Sequence, residues 1–205
     1  MGEQFLVQVF PPHQTTKTIY MNWKMIGTFS AFLGAVIFVA LTILAVVNYP
    51  GYSVYSNFLS DLGTGENSAV FFNIAVMISG TAAVVLSIAL NKIFSKSNEC
   101  KLASIILAIA GISLVGIGVF TENHPIHSSI SALFFACISA SMILFGISFR
   151  KDHSRWYVFS ILGILVPVFF LLDVKSLAEH LAISSVLIWS FAVGSLIYRK
   201  ADITI

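Results

Sequence analysis

The stretch Met25–Val47, MIGTFSAFLGAVIFVALTILAVV, decides the fold, because it is apolar throughout and contains no Asp, Glu, Lys or Arg. A helix rises about 1.5 Å per residue, so the roughly 30 Å hydrocarbon layer of a bilayer needs about 20 apolar residues. Five further stretches are predominantly apolar and of similar length: Ser68–Leu90, Leu102–Phe120, Pro125–Phe149, Trp156–Leu172 and Leu177–Tyr198. The sequence therefore predicts an all-α polytopic membrane protein, a bundle of six transmembrane helices.

The composition of the whole chain agrees with this fold class. The 205 residues are 58% hydrophobic and 10% charged, and the mean hydropathy is +0.93, whereas soluble domains carry about 25% charged residues. The net charge of +2 is too small to indicate nucleic acid as a partner, and the lipid bilayer is the expected environment. We expect a cytoplasmic N-terminal segment over residues 1–24 and one membrane domain over residues 25–200.

Lysine and arginine lie almost entirely on one side of the predicted membrane. Short loops rich in these residues stay in the cytoplasm. Ten of the eleven agree with a single orientation, and only Lys175 falls on the opposite side. The ten are Lys17, Lys24, Lys92, Lys96, Lys101, Arg150, Lys151, Arg155, Arg199 and Lys200. The sequence predicts a multi-pass protein of the cell membrane with both termini in the cytoplasm.

The loop after the first predicted span has an amphipathic pattern. One helical face would carry apolar residues, namely Tyr55, Phe58, Leu59 and Leu62. The opposite face would be polar, with Ser56, Asn57, Ser60 and Asp61. Ser53 suits the N-cap of such a helix and Gly63 suits its end. The pattern predicts a short amphipathic helix over Ser53–Leu62 that lies at the outer interface.

Acids and histidines gather on the predicted outer side, where basic residues are scarce. Carboxylates and imidazoles near a low-dielectric boundary are typical of metal ligands and proton-transfer groups. The candidate catalytic residues are Ser60, Asp61 and Glu122, and the candidate metal ligands, for a divalent ion such as zinc, are His124, His127 and His180. Further polar candidates for the extracytoplasmic site are Asn57, Asn73 and Asp173.

Several of these residues also have a purely structural interpretation. Ser176 and Glu179 have the spacing of a capping box, which would explain Glu179 by the start of the last helix alone. Asn73 could serve interhelical hydrogen bonding. Asp173 could be a solvated loop acid, and Lys175 beside it could pair with a surface acid.

A group of short motifs resembles one uncharacterised family of small prokaryotic six-helix membrane proteins, domain of unknown function 998. The motifs are Tyr49-Pro50-Gly51-Tyr52-Ser53, Asn57, Ser60-Asp61-Leu62-Gly63, Phe72-Asn73 with Gly80, Gly116 to Phe120, and His127 leading into Ala132-Leu133-Phe134-Phe135. The S-D-L-G stretch is the most specific of them. The resemblance implies the fold and topology, and it marks Ser60, Asp61, Asn73 and His127 as positions to test.

A looser resemblance is to the membrane-embedded metal-dependent hydrolases that include alkaline ceramidases, which combine a Ser, an Asp and three His near one membrane face. Ser60, Asp61 and the three outer histidines supply the same residue types. This chain has six predicted helices in place of seven, and its last helix lacks an H-x-x-x-H motif. The resemblance is therefore one of chemistry.

Three functions fit these observations, and the sequence does not decide whether the protein is an enzyme. The first is an outward-facing, metal-assisted hydrolase or transferase for a lipid-like substrate. The second is a non-catalytic membrane subunit or sensor, whose small-residue stripes would bind partner helices or a second copy. The third is a haem- or quinone-associated redox subunit, with His127 and His180 as haem ligands. The stripes are Gly27, Ala31 and Ala35 in the first helix and Ser128, Ala132, Ala136 and Ala140 in the fourth, and they predict that both helices lie inside the bundle.

Overall fold

The computed structural model describes residues 12–94, 97–150 and 157–200, and the regular structure of these three segments is entirely helical. The six α-helices are α1 (Pro12–Val47), α2 (Ala69–Phe94), α3 (Asn98–Val119), α4 (His127–Arg150), α5 (Tyr157–Phe169) and α6 (Lys175–Lys200). A short 3-10 helix, Ser60–Gly63, lies between α1 and α2. The all-α prediction is confirmed.

Five of these helices are long and apolar enough to cross a membrane. The stretches that qualify are Asn22–Val47, Ala69–Phe94, Asn98–Val119, His127–Phe149 and Lys175–Arg199. The apolar part of α5, Val158–Phe169, is shorter than the other five. Several apolar helices of this length in one chain identify a multi-pass integral membrane protein.

Helix α5 ends earlier than the predicted segment Trp156–Leu172, and Pro167 lies in its last turn. Residues 170–172 continue as turns that are closed by bonds between backbone groups three residues apart. Proline cannot donate a bond to the carbonyl four residues before it, here Gly163. The Ser139 hydroxyl of α4 donates to that carbonyl at 2.7 Å, so a neighbouring helix supplies the missing partner.

The helices form a ring in which each packs against the next, and α1 closes the ring against α6. The largest fully buried side chains line its interior and include Phe145 of α4, Phe159 of α5 and Trp189 of α6. A second buried cluster lies between α1, α2 and the 3-10 helix, and Leu62 is fully buried there. The 3-10 helix is therefore part of the packed structure.

The two small-residue stripes behave differently. In α1, Gly27, Ala31 and Ala35 are buried, and a Cβ added at Gly27 would lie 3.0 Å from the Cβ of Ala89 in α2. In α4 the prediction is wrong, because Ser128, Ala132 and Ala136 are exposed and Ala140 is only half-buried. The buried face of α4 carries larger side chains instead: Phe134, Ile138, Met142 and Phe145. In a ring of helices, each helix has one face that points away from the interior. The spacing of small residues alone does not show which face that is.

Candidate functional site

Three parts of the chain meet at one end of the bundle: the loop from Asn48 to Ser68, the loop from Phe120 to Ile126, and the start of α6. We call this the acidic end, because it holds Asp61, Glu66, Glu122, Asp173 and Glu179. Lys175 begins α6 at this end of the bundle. Its side chain is exposed, and its ammonium group donates to the carbonyl of Phe170 at 2.6 Å. The acids and the candidate Ser60 therefore share one end of the molecule.

The amphipathic helix predicted over Ser53–Leu62 differs from the structure, where residues 54–57 form turns and only Ser60–Gly63 are helical, as a 3-10 helix. The Asn57 side chain accepts from the Ser53 N–H at 3.1 Å and donates to Asp61 Oδ2 at 3.0 Å. Asp61 Oδ2 also accepts from the backbone N–H of Phe58 at 3.0 Å. These side-chain bonds occupy backbone groups that an α-helix would use.

Helix α6 binds this loop through three side chains. The Leu59 N–H donates to Glu179 Oε2 at 2.7 Å, and the Ser176 hydroxyl donates to the Tyr55 carbonyl at 2.8 Å. The predicted capping box is thus wrong. Helix α6 already begins at Lys175, and Ser176 and Glu179 bond to the distant loop instead of to each other's backbone.

The third of these side chains is His180, whose two ring nitrogens are both bonded. Its Nδ1 lies 2.7 Å from the Ser176 carbonyl and its Nε2 lies 2.7 Å from the Tyr52 hydroxyl. A carbonyl only accepts, so Nδ1 carries the proton and the neutral ring accepts from Tyr52 at Nε2. Burial raises the pKa of Tyr52, and the negative charges of Glu179 and Asp61 raise it further. Tyr52 therefore remains a hydroxyl donor.

Helix α2 holds the other side of the same loop. Asn73 donates from Nδ2 to the Gly63 carbonyl at 3.1 Å, and the Ser68 hydroxyl donates to the Leu62 carbonyl at 2.7 Å. A Cβ on Gly63 would lie 2.7 Å from Asn73 Oδ1, so the close approach requires glycine. The hydrogen-bonding interpretation of Asn73 is the one that the structure supports.

Glu122 meets Asp61 and Ser60 at the centre of the acidic end. Its carboxyl lies close to the Asp61 carboxyl and the Ser60 hydroxyl. One of its oxygens, Oε2, is buried without a partner among the residues that the structure describes. Burial raises the pKa of Glu122 from 4.5 to about 7, and the nearby Asp61 and the charge of Glu179 act in the same direction. Glu122 is therefore suited to exchange a proton near neutral pH.

His127 opens α4 beside this cluster and is buried, with 7% of its surface exposed. Its Nδ1 lies 2.7 Å from the Phe120 carbonyl, which can only accept. Nδ1 therefore carries a proton, and in the neutral form of the ring Nε2 is left unprotonated. That nitrogen can accept a proton or a hydrogen bond from a ligand.

A cavity of about 510 Å³ opens among these groups, and we call it the acidic cavity. Its polar lining comprises Ser60, Glu122, His127, Ser128, Ser131 and Glu179. Its apolar lining is largely aromatic, with Phe58, Phe135 and Phe170 beside Ala132. A cavity with convergent polar groups and aromatic walls is the usual form of a small-molecule site.

The three candidate metal ligands do not converge. His124 is exposed and its Nδ1 accepts from the Ile126 N–H at 3.3 Å, while both nitrogens of His180 are engaged as described above. Across residues 12–94, 97–150 and 157–200, no group of three or more His, Cys, Asp or Glu is arranged to hold a metal ion. The same bonds at His180 leave it no free nitrogen for a haem iron.

The structure therefore brings together Ser60, Asp61, Glu122 and His127, supports them through Asn57 and Asn73, and leaves His124 and Asp173 exposed at the surface. Sequence analysis missed Tyr52 as a partner of His180, and it explained Glu179 by the wrong contact. One available signal was that Glu179 is the only acid inside a predicted span.

Comparison with known proteins gives one match. A family model described as "Protein of unknown function (DUF998)" matches residues 32–196. This region includes α2 to α5, the part of α1 from Phe32 onward, α6 as far as residue 196, and every residue of the acidic cavity. No curated protein and no solved structure shows significant similarity to the chain.

Proposed function

This chain belongs to the DUF998 family, whose description assigns no activity, and we propose that it is an outward-facing hydrolase or transferase that acts on a lipid-like substrate. The observation that carries the proposal is the close grouping of Ser60 and Glu122 in the wall of the acidic cavity, with Asp61 beside Glu122. A hydroxyl, a base within hydrogen-bonding reach and a third group beside the base is the arrangement of an activated nucleophile.

In this proposal Ser60 Oγ attacks the carbonyl carbon of an acyl substrate. As the oxygen–carbon bond forms, the hydroxyl proton passes to Glu122, whose pKa of about 7 suits a base at neutral pH. The bond to the leaving group then breaks and Glu122 returns the proton to it. In the second half of the reaction, Glu122 takes a proton from water or another hydroxyl compound, whose oxygen attacks the acyl carbon. The bond to Ser60 Oγ breaks, Glu122 returns the proton to Ser60, and the enzyme is restored.

The other polar groups have supporting roles. Asp61 raises the pKa of Glu122, which keeps the base from being fully ionised at neutral pH. His127 offers Nε2 for a proton or a hydrogen bond beside the leaving group. Glu179 holds the backbone of Leu59 and so positions the neighbouring Ser60. None of these roles requires a metal ion held by His124, His127 and His180 together.

The orientation belongs to the same proposal. Helix α5 would complete a sixth crossing, with both termini in the cytoplasm of a cell-membrane protein. The distribution of ten of eleven basic residues supports this arrangement. The acidic cavity would then face the extracytoplasmic side, and the loop from Ser53 to Leu62 would lie at the outer interface, where a lipid-like substrate can reach Ser60 from the bilayer.

The test uses a fluorophosphonate probe, which reacts with activated serine hydroxyls, on the full chain purified in detergent. We expect the probe to label Ser60 and to leave Ser60→Ala unlabelled. Glu122→Gln should slow labelling by at least about 100-fold, the usual contribution of a general base. Ser56→Ala is the matched control, because Ser56 is exposed in the same loop and does not line the cavity. Equal labelling of the natural chain and Ser60→Ala would refute the proposal.

A non-catalytic sensor is the second candidate, and the bonds between α6 and the loop favour it. Tyr52, Tyr55 and Leu59 are all held by side chains of α6, so a ligand in the cavity could act on the helix through the loop. In that case the probe would label no serine, whereas ligands would still bind the acidic cavity.

A further inference from the structure

The acidic cavity adjoins a second, narrower cavity. The second one measures about 20 Å³, and the two share Ser60, Ser131, Phe135 and Glu179 in their walls. Ser60 therefore lies at the boundary between a polar space and an apolar one. Below it the second cavity is lined mainly by apolar residues of α1 to α4 and α6, among them Phe38, Phe72, Ile117, Phe134 and Ile183.

A third cavity continues from the second into the middle of the bundle. It measures about 70 Å³ and shares Phe38, Leu114, Phe134 and Ile183 with the second. Two of the serines in its wall are already engaged, because Ser79 donates to the Gly34 carbonyl and Ser190 donates to the Ala31 carbonyl. Most of the remaining wall is apolar, which suits a hydrocarbon group. Together the three cavities form a path with one polar end and one apolar end.

The polar end has the charge to recognise a cation. Glu122 and Glu179 line it, Asp61 adjoins Glu122, and neither lysine nor arginine occurs in the lining that the structure describes. Oε2 of Glu122 is buried without a described partner. The rings of Phe58, Phe135 and Phe170 add faces that attract cations.

We propose that the three cavities bind one molecule, an acyl-chain amphiphile with a positively charged head group. The head group lies between the carboxylates and the aromatic rings, and the hydrocarbon chain passes Ser60 into the inner cavities. This inference rests on the proposed function, because it places the carbonyl between head and chain beside Ser60, where Ser60 would attack it.

Because the second cavity is narrow, the length of the hydrocarbon chain that binds can be tested by experiment. At about 20 Å³ it has room for little more than one water-sized group, so a chain enters only when Phe134 and Phe135 move aside. Affinity should rise with chain length until the innermost cavity is filled. Leu114 borders the passage between the second and third cavities, so a larger residue there should shorten the chain that still fits.

The experiment measures binding to the full chain in uncharged detergent by the shift of the thermal unfolding midpoint. The probes are dodecyltrimethylammonium, dodecyl sulfate and tetramethylammonium. We expect a saturable shift with dodecyltrimethylammonium alone, and an affinity that rises as pH increases through about 7, because a cation favours the ionised form of Glu122. Leu114→Trp should weaken binding of dodecyltrimethylammonium at least tenfold and leave binding of the shorter hexyltrimethylammonium unchanged. Ile112→Trp is the control, because Ile112 is 64% exposed on the same helix.

Equal shifts from the cationic and anionic probes, or equal effects of Leu114→Trp and Ile112→Trp, would overturn the inference. The Ser60→Ala variant separates it from the proposed function. If this variant binds the cationic probe while no serine reacts with fluorophosphonate, the binding inference stands and the enzymatic proposal fails. If Ser60 reacts but the cationic probe does not bind selectively, the enzymatic proposal stands and this one fails.

Discussion

Glu122 shows how one residue can be tuned by neighbours that are distant in sequence. It comes from the loop before α4, whereas Ser60 and Asp61 precede α2 and Glu179 belongs to α6. Two of these neighbours are acids, and their negative charge opposes ionisation of Glu122 just as burial does. The proton that Glu122 retains is therefore stabilised by the fold itself.

The first prediction concerns stability and pH. The pKa of Glu122 is about 7 in the folded chain and 4.5 when unperturbed, so between these values the folded chain binds more protons than the unfolded one. The stability that Glu122 contributes is therefore fully present below about pH 4.5 and is lost as pH rises through 7. Partial exposure screens the effect to on the order of 1 kcal/mol, or about 2–4 °C in Tm. We expect Glu122→Gln to flatten the Tm profile between pH 5 and 8; an unchanged slope would contradict this account.

At the residue scale, sequence reasoning placed polar residues of separate loops on one predicted side of the membrane. It grouped Ser60, Asp61 and Glu122, which the fold brings together. It did not show what engages the histidines: the Ser176 carbonyl lies 2.7 Å from Nδ1 of His180, and the Phe120 carbonyl lies 2.7 Å from Nδ1 of His127. Such local bonds leave no trace in the spacing of residue types.

At the scale of elements, the contact between α2 and α3 depends on two glycines. A Cβ on Gly80 would lie 2.6 Å from the Gly111 carbonyl oxygen, and a Cβ on Gly111 would lie 2.7 Å from the Gly80 carbonyl oxygen. Both neighbours are backbone atoms, which cannot rotate away. The two helices therefore approach each other as closely as small residues permit in a membrane bundle.

The corresponding prediction is that Gly111→Ala destabilises the protein by about 1–3 kcal/mol, the usual cost of overpacking. Gly116→Ala in the same helix is the control, because its nearest neighbour is the flexible Ile130 side chain at 3.3 Å. Thermal unfolding followed by tryptophan fluorescence should show Tm falling by several degrees, at about 2–4 °C per kcal/mol, only for Gly111→Ala. Equal Tm values for both variants would contradict the prediction, because they would mean that moving α2 away from α3 costs little free energy.

The long helices were predictable and the short ones were not, for one physical reason. A membrane-spanning stretch is fixed by its own apolar length, so α2 begins within a residue of its prediction. The segment from Ser53 to Leu62 has a helical pattern, yet its backbone groups bond to Asp61 and to Glu179 of α6. Side chains of the loop itself and of α6 thus determine the conformation of this segment. The amino-acid sequence alone does not reveal these contacts.

At the scale of the whole molecule, the ring of helices makes the acidic end and the opposite end chemically unequal. Asp61, Glu122 and Glu179 lie at the first, whereas Lys92 in the last turn of α2 and Lys101 in the first turn of α3 lie at the second. Inserting such a chain the other way round would carry the basic links across the membrane, which cells avoid. The unequal ends therefore predict the orientation and the side from which a substrate enters.

The prediction is tested by cysteine labelling in intact cells, in a background where Cys100 and Cys137 are replaced by alanine. A membrane-impermeant maleimide should label a cysteine at Thr64 or at Lys175, because both residues are exposed at the acidic end. A cysteine at Asn98, exposed at the opposite end, should react only after the membrane is opened. Labelling of Asn98 alone in intact cells would place the acidic cavity in the cytoplasm. Labelling of Thr64 and Lys175 from different sides would separate Ser60 from Glu179 and remove the shared cavity, and both the proposed enzyme and the proposed amphiphile site would then fail.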